Sequence, residues 1–449
     1  MILVSAAAHG ESLTEAMARA YQTNPQLMAE RARLRQSDEQ VAQALSNWRP
    51  TVVINADGGY SRERRDIPVS RIDQTDSRLP YGAELRVSQN IYRGGITTAA
   101  VSRTKNQVQS DRARLLGIEQ NIMTNVATAY MDVLRDQAVV ELTSSNERVL
   151  QRQLDATRDR FRVGEVTRTD VAQAESRLQR ATADRIQAEG NLTASRAVYR
   201  SVVGESPGTL EPVTAVPGVP PSEQETIERA RNENYAVISA RFLEQVAADR
   251  IREVTGELLP QLSVDGVLDK SVEGVSDDSV VDTAAITARL RVPLYQAGGV
   301  EARVREAKEL RGQRRNELLQ TIRQATQQAS QNWQAYETAG ASIKALNAQI
   351  DAARIALDGV QQEALVGSRT VLDVLDAEQE LLVAQVGLVR AQRDEIVAGY
   401  QLKSTVGDLT AERLRLPVDI YDYVKHYEDT RRRWFGLGIA NDVTEPAPR

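Results

Sequence analysis

Val163 and Gly164 lead to Thr167, Asp170, Val171, Ala174 and Glu175. Val366 and Gly367 lead, at the same spacings, to Thr370, Asp373, Val374, Ala377 and Glu378. The offset of 203 residues holds without a gap from Tyr92/Tyr295 through Lys105/Lys308, Leu115/Leu318 and Tyr130/Trp333 to Gly204/Gly407. One supersecondary unit has been duplicated, so whatever the first copy folds into, the second must fold into as well. The period is far too long for a solenoid of short repeats. Each copy is a large module.

Each copy reads as helix, strand, loop, strand, very long helix, tight turn, helix. In the first, residues 12–46 are helical in period, with Pro25 inside the stretch, and Trp48-Arg49-Pro50 ends it. Residues 51–61 and 81–92 alternate in period two, and the polar, charged residues 62–80 between them read as a loop. Gly94-Gly95 breaks the second strand. A helical pattern then runs from about 96 to 162, roughly 100 Å at 1.5 Å per residue. Gly164 interrupts it, and a second helix covers 168–203. Five prolines within 205–221 mark a linker. The second copy repeats the order: helix 222–256, strands on either side of a loop at 271–282, Gly298-Gly299 ending the second strand, and helices at about 300–363 and 371–406. The expected segments are 1–10, an N-terminal remnant; 11–204, the first repeat with its β-hairpin at 51–92; 205–221, the linker; 222–415, the second repeat with its hairpin at 260–295; and 416–449, a tail.

Aromatic residues make up only 4% of the chain, cysteine is absent, and the net charge is −6 with the signs interspersed. Such a composition favours long helices and coiled coils over a compact mixed core. It provides no basic stripe of the kind nucleic-acid binders carry. No stretch approaches the roughly 18 apolar residues of a transmembrane helix, which leaves a β-barrel open. Residues 1–10, an apolar run followed by small residues, read like the second half of a secretory signal.

The strands carry the next constraint. Tyr81, Ala83, Leu85, Val87 and Ile91 fall on one face, and Gly82, Glu84, Arg86, Ser88 and Asn90 on the other. Val52, Ile54 and Ala56 alternate in the same way with Asn55 and Asp57, Val53 being the exception. An amphipathic strand of about ten residues fits a barrel wall with lipid outside and water inside. It also fits a soluble hairpin packed on a core, although no other segment offers a core of that kind. A sheet in lipid tolerates no open edge. Four strands cannot close alone, so membrane strands here require an oligomer that shares one barrel.

The helix opening (Glu11, Ser12, Leu13, Thr14, with Asn24-Pro25), the strand-to-helix junctions (Ile91 to Gly95 and Leu294 to Gly299) and the two Val-Gly turns resemble the TolC family of outer-membrane efflux proteins. The likeness runs over about residues 11–415 and is closest from Val366 to Ala377. It implies a mainly α fold with a membrane β-barrel: a homotrimer whose four strands per chain form one 12-stranded barrel, continued by an α-helical coiled-coil tunnel. It further implies an outer-membrane location, contact with outer-membrane lipid, projection into the periplasm, and two partners. These are a periplasmic adaptor (membrane fusion) protein and an inner-membrane transporter of RND or ABC type. The channel would be a passive exit duct for drugs or secreted polypeptides, with no cofactor, no metal and no nucleic acid.

Gly164 and Gly367 stand where a helix must reverse, and Thr167 and Thr370 suit the N-caps of the returning helices. Asp170 and Asp373, shared by both copies, could do no more than complete those caps. Arg369 replaces Val166, and Asp376 replaces Gln173, so neither charge is needed to make the turn. By resemblance, Asp373 and Asp376 match pore-constricting acids, and Arg369 with Asp170 matches a gate-closing link. The family tyrosine three residues before the second glycine is Ala364 here, which leaves Arg168 as a substitute. Stacked acid rings favour cations, and crowding should raise their pKa values. Val163, Gly164, Thr167, Val366, Gly367, Ser368 and Thr370 mark the expected adaptor-docking grooves.

Two other classes compete. An enzyme lacks support, because the histidines are His9 and His426 alone and no nucleotide loop or nucleophile elbow occurs. A coiled-coil spacer explains the rods and leaves the strands unexplained. The tail (Tyr421, Tyr423, Tyr427, Arg431 to Phe435) is expected to pack with the 205–221 linker in a belt around the helices, with Glu445 to Arg449 a frayed end.

Overall fold

The computed structural model describes residues 10–67 and 72–439. The apolar start, apart from Gly10, and the stretch from Glu445 to Arg449 lie outside them. The chain divides into two compact units, and each draws on both repeats. One holds residues through Ala32, Ala113–Ile238 and Leu319–Tyr421. The other holds Arg33–Arg112, Ser239–Leu318 and Asp422 onward.

The opening helical stretch is two helices, α1 (Leu13–Thr23) and α2 (Pro25–Ser46). Ser12 and Glu15 form a capping box at the start of α1. Asn24 then stops one helix and begins the next: its side-chain oxygen accepts from the Gln26 N–H at 3.0 Å, while Pro25 fills a first-turn position that needs no donor. Pro25 therefore lies at a break, not inside a continuous helix. The second copy breaks in the same way, into α5 (Glu223–Glu233) and α6 (Tyr235–Thr255), with Asn234 accepting from Ala236 N–H at 3.0 Å.

Between these pairs come β1 (Thr51–Gly58), β2 (Ser61–Ile67), β3 (Ile72–Arg78), β4 (Tyr81–Arg93), α3 (Ile96–Arg162) and α4 (Arg168–Val203). After them come β5 (Gln261–Val272), β6 (Val280–Arg291), α7 (Gly299–Leu365), α8 (Val371–Thr405) and α9 (Tyr423–Arg432). The long helices fall where their periodicity puts them. Three strand expectations need correction. Residues 62–80, expected to be a loop, hold a second antiparallel pair, β2 with β3, with 68–71 outside the described residues. The loop of the second copy shrinks to 273–279, because β5 and β6 extend towards each other. At its other end β6 stops at Arg291, before Pro293, which has no N–H for a ladder.

β1, β4, β5 and β6 form one antiparallel sheet in the order β1-β4-β5-β6. Its register collects the apolar side chains on one face. Ile54 lies opposite Leu85, Leu85 opposite Leu268, and Leu268 opposite Ala284; two residues along, Val52 faces Val87, Val87 faces Gly266, and Gly266 faces Ile286. The other face carries Asn55, Glu84 and Asp269 in one rung and Ser88, Asp265 and Thr287 in another. Ile54 is 72% and Ile286 85% exposed, so within the chain nothing covers the apolar face at these residues. No helix among the described residues is long and apolar enough to cross a membrane.

The linker and the tail part company. Residues 205–221 are pinned beside α1: Tyr130 OH lies 2.7 Å from the carbonyl oxygens of Glu11 and Glu211, which share its one proton, and Lys403 Nζ donates to Pro217 O at 2.9 Å. Leu416 to Tyr421 belong to this unit, but Asp422 onward belongs to the unit that holds the sheet. Within that unit α9 is held by a buried pair, His426 Nδ1 to Asp38 Oδ2 at 2.8 Å, together with Arg112 stacked 4.9 Å from the Tyr423 ring and 5.1 Å from Tyr427.

Candidate functional site

The two helical reversals are built alike. Gly164 takes φ +82° and Gly367 φ +79°, values open to glycine at no steric cost. Glu165 N–H reaches back to Arg160 O at 2.9 Å and Gly164 N–H to Phe161 O at 3.0 Å; Ser368 N–H reaches Glu363 O at 3.0 Å and Gly367 N–H reaches Ala364 O at 3.2 Å. These paired bonds are the Schellman closure of a helix C-terminus. The N-caps match as well. Asp170 N–H donates to Thr167 Oγ1 at 3.2 Å while Thr167 N–H donates to Asp170 Oδ2 at 2.8 Å, and Thr370 and Asp373 repeat the box at 3.2 and 2.9 Å. Ala174, Leu178 and Ala181 of α4 bury against Leu150 and Leu154 of α3 and Val371 and Leu375 of α8, which holds both returning helices in one apolar cluster.

Both shared acids are thus engaged as caps within the chain. Thr370, through its N–H and its hydroxyl, holds the Asp373 carboxyl below the usual carboxylate range, and Arg369 adds to the effect. Within one chain Arg369 and Asp170 are not brought together: Arg369 Nε is 2.8 Å from Glu363 Oε2. The unshared Asp376 pairs at 2.5 Å with Arg177 of α4. Arg168 opens α4, exposed. Val163 and Val366 are 71% and 80% exposed beside their glycines.

Reasoning from the sequence overlooked Glu363 and Arg177. Both were open to the comparison that singled out Arg369 and Asp376: Glu363 stands where the first copy has Arg160, and Arg177 where the second has Glu380. The first turn is crossed by an ion pair of reversed polarity, Arg160 to Glu165 at 3.1 Å.

The strand-to-helix junctions are also paired, at the 203-residue step of the repeat and not glycine pair against glycine pair. Gly95 and Gly298 take φ +80° and +76°, and Gly94 (+62°) corresponds to Ala297 (+53°), whereas Gly299 is the first residue of α7. Gly94 packs on a glycine that sequence reasoning did not single out. A Cβ on Gly256 would come within 2.6 Å of Gly94 O.

The model of the outer membrane efflux protein family matches residues 16–205 and 226–408, the two repeats without the linker. The chain belongs to that family. It is 34% identical to the outer membrane efflux protein BepC of Brucella suis over 97% of this chain and 94% of the relative. It is 28% identical to the outer membrane protein TolC of Vibrio cholerae over 91% of this chain and 93% of that one. Among solved structures, the CmeC outer membrane channel of Campylobacter jejuni superposes with a TM-score of 0.80 at 15% identity, covering 94% of this chain and 89% of CmeC; at that identity the likeness shows the fold. The fold is of the TolC type with two repeats, and the chain is an outer-membrane protein of a Gram-negative cell.

Proposed function

We propose that three copies of this efflux protein close one 12-stranded barrel in the outer membrane and continue it into the periplasm as a helical duct. The observation that carries this reading is the sheet itself. Four strands share one uncovered apolar face, and β1 and β6 each have a ladder partner on one side only. In hydrocarbon each unpaired backbone group costs several kcal/mol, so the two edges must meet copies of each other. Strand β6 of one chain against β1 of the next closes the ring.

The duct passes small molecules or secreted polypeptide handed over by an RND- or ABC-type inner-membrane transporter through a periplasmic adaptor. The exposed Val163-Gly164 and Val366-Gly367 turns are the adaptor's footing. The narrow end is ringed by Asp373 and Asp376. Arg369 joins Asp170 of a neighbouring chain only by giving up Glu363, so the closed tip is an exchange of ion-pair partners. Arg168 is a second cation available to the same acids.

Single-channel recording of the detergent-purified protein in planar bilayers tests this. Uniform current steps, cation-selective and blocked by a multivalent cation, are expected. A protein that stays monodisperse without detergent and gives no current would be a periplasmic spacer. Unchanged conductance in Arg369→Ala would remove Arg369 from the gate.

A further inference from the structure

The end of α9 and the tail beyond it read Arg431-Arg432-Arg433-Trp434-Phe435-Gly436-Leu437-Gly438-Ile439: three cations, then an apolar run with no charge. The fold does not bury that run. Trp434 is 60% exposed, and Phe435, Leu437 and Ile439 are more exposed still. Yet the segment has a fixed seat. His426 and Thr430 anchor α9 by one buried face, and Arg49 grips the chain just past the helix. The Arg49 guanidinium lies 4.5 Å from the Trp434 ring centroid and donates to Arg433 O at 3.0 Å. The half-exposed Trp48 and Arg49 are separated only by Pro50 from Thr51, the first residue of β1. The run is therefore presented at the end of the sheet where strands give way to helices.

Cations outnumber carboxylates at this place. Arg49, Arg431 and Arg432 line one hollow with Trp48, Trp434 and Glu428, while Arg433 and Asp429 stand beside them in the chain. Glu428 is 3.7 Å from Arg431 and 3.6 Å from Arg432 and so divided between two guanidiniums. The guanidinium of Arg433 turns back on Gly438 O and leaves the apolar side chains outward. Clustered arginines next to Trp and Phe are the composition of an interfacial membrane anchor. The cations meet anionic headgroups, and the aromatic rings occupy the headgroup–acyl boundary.

We propose that residues 431–439, with Arg49, form an anchor that binds anionic glycerophospholipid of the membrane leaflet at the base of the barrel. This rests on the reading of the sheet as a membrane barrel, because only then does the base of β1 lie at a lipid–water boundary. The occupant follows from charge complementarity and from continuity with the apolar face of β1. A water-facing patch would not need four exposed apolar side chains, and a neutral lipid would not need the arginines.

Trp434 can report on this. The W48F/W333F protein keeps it as the sole tryptophan and is reconstituted into nanodiscs of phosphatidylcholine containing either dibrominated phosphatidylglycerol or dibrominated phosphatidylcholine. Each arginine close to an anionic surface should enrich that lipid by about fivefold. Trp434 emission should then be quenched at least about twice as strongly by the brominated phosphatidylglycerol. R431Q/R432Q/R433Q should abolish the difference. A companion protein, W48F/W333F/W434F with I54W, places the tryptophan on the barrel wall. Equal quenching by the two lipids, or a difference that survives the arginine replacements, overturns the anchor. Quenching at position 54 but not at Trp434 also overturns it, since the run is then covered by protein, while the barrel stands. Quenching at neither position removes the barrel reading and the anchor with it.

Discussion

Arg177 of α4 and Asp376 of α8 meet at 2.5 Å, and each stands where the other repeat carries something different, Glu380 for Arg177 and Gln173 for Asp376. The contact is private to one pairing of the two returning helices. Asp376 is 55% exposed, so the pair contributes about 1 kcal/mol or less to stability. In the proposed duct the pair holds two helices together at the narrow end. Arg177→Gln and Asp376→Asn should each raise single-channel conductance with little change in thermal stability. The R177D/D376R exchange should bring conductance back towards the parent. Conductance that moves in neither single variant would confine the pair to surface decoration.

The Thr370–Asp373 box makes the second reversal acid-sensitive. A carboxyl depressed in the folded state contributes stability that is present above its unfolded pKa and lost as pH falls through the folded value. Amide exchange at Val371 to Leu375 should thus stay slow through neutral pH and quicken only below the usual carboxylate range. Thr370→Ala should cost about 1 kcal/mol locally and quicken the same amides at neutral pH.

Glu119 behaves in the opposite sense. It is buried, accepts from Ala411 N–H at 2.6 Å, and burial lifts its carboxyl to about 7, with Glu412 adding to the rise and Arg31 opposing it. Between the unfolded value near 4.5 and about 7, the folded chain holds a proton the unfolded chain has released. Stability therefore falls as pH rises through that window and stays lower above it. Glu119→Gln keeps an acceptor for Ala411. It should stabilise the protein by roughly 1–3 kcal/mol near pH 8 and by nothing near pH 4, read as the shift in the thermal midpoint of the helical signal.

The junction glycines separate backbone strain from collision. A Cβ on Gly298 meets no atom within 4 Å, so Gly298→Ala pays only for its φ of +76°, about 1–2 kcal/mol. Gly94→Ala carries the same strain and also drives a methyl into the Gly256 carbonyl and Leu259, so it should be the more damaging by at least about 2 kcal/mol. Ala297 already bears a left-handed φ, and Ala297→Gly should raise the thermal midpoint.

The helices and their reversals were legible because duplication shows each device twice. A glycine and a threonine at fixed spacing in both copies are hard to mistake for anything but a helix end and a cap. β2 and β3 were not legible. Arg62, Glu63 and Arg64, then Asp76 and Arg78, leave no apolar–polar alternation, and what pairs these strands is charge across the ladder, as in Arg78 to Glu63 at 2.9 Å. The seat of the tail escaped for another reason. Asp38 and His426 lie 388 positions apart, and nothing local in either neighbourhood announces the other. At the turns, the identities of the charges could be read, but not their partners. Arg369 finds Glu363 six residues back on its own turn, a choice fixed by side-chain reach and not by sequence pattern.

The ladder between β4 and β5 sets an order of events. Residues 81–93 pair with residues 261–272 from end to end but for a bulge at Ile91, so the two repeats are stitched together by strands that leave the ribosome far apart. Closing so long a loop is slow, and the first hairpin must wait through the synthesis and export of α3, α4, the linker, α5 and α6 with both of its edges bare. A chain interrupted after the first repeat would therefore be not half a wall but an aggregation-prone ribbon, and the cell must shield that hairpin until its partner arrives.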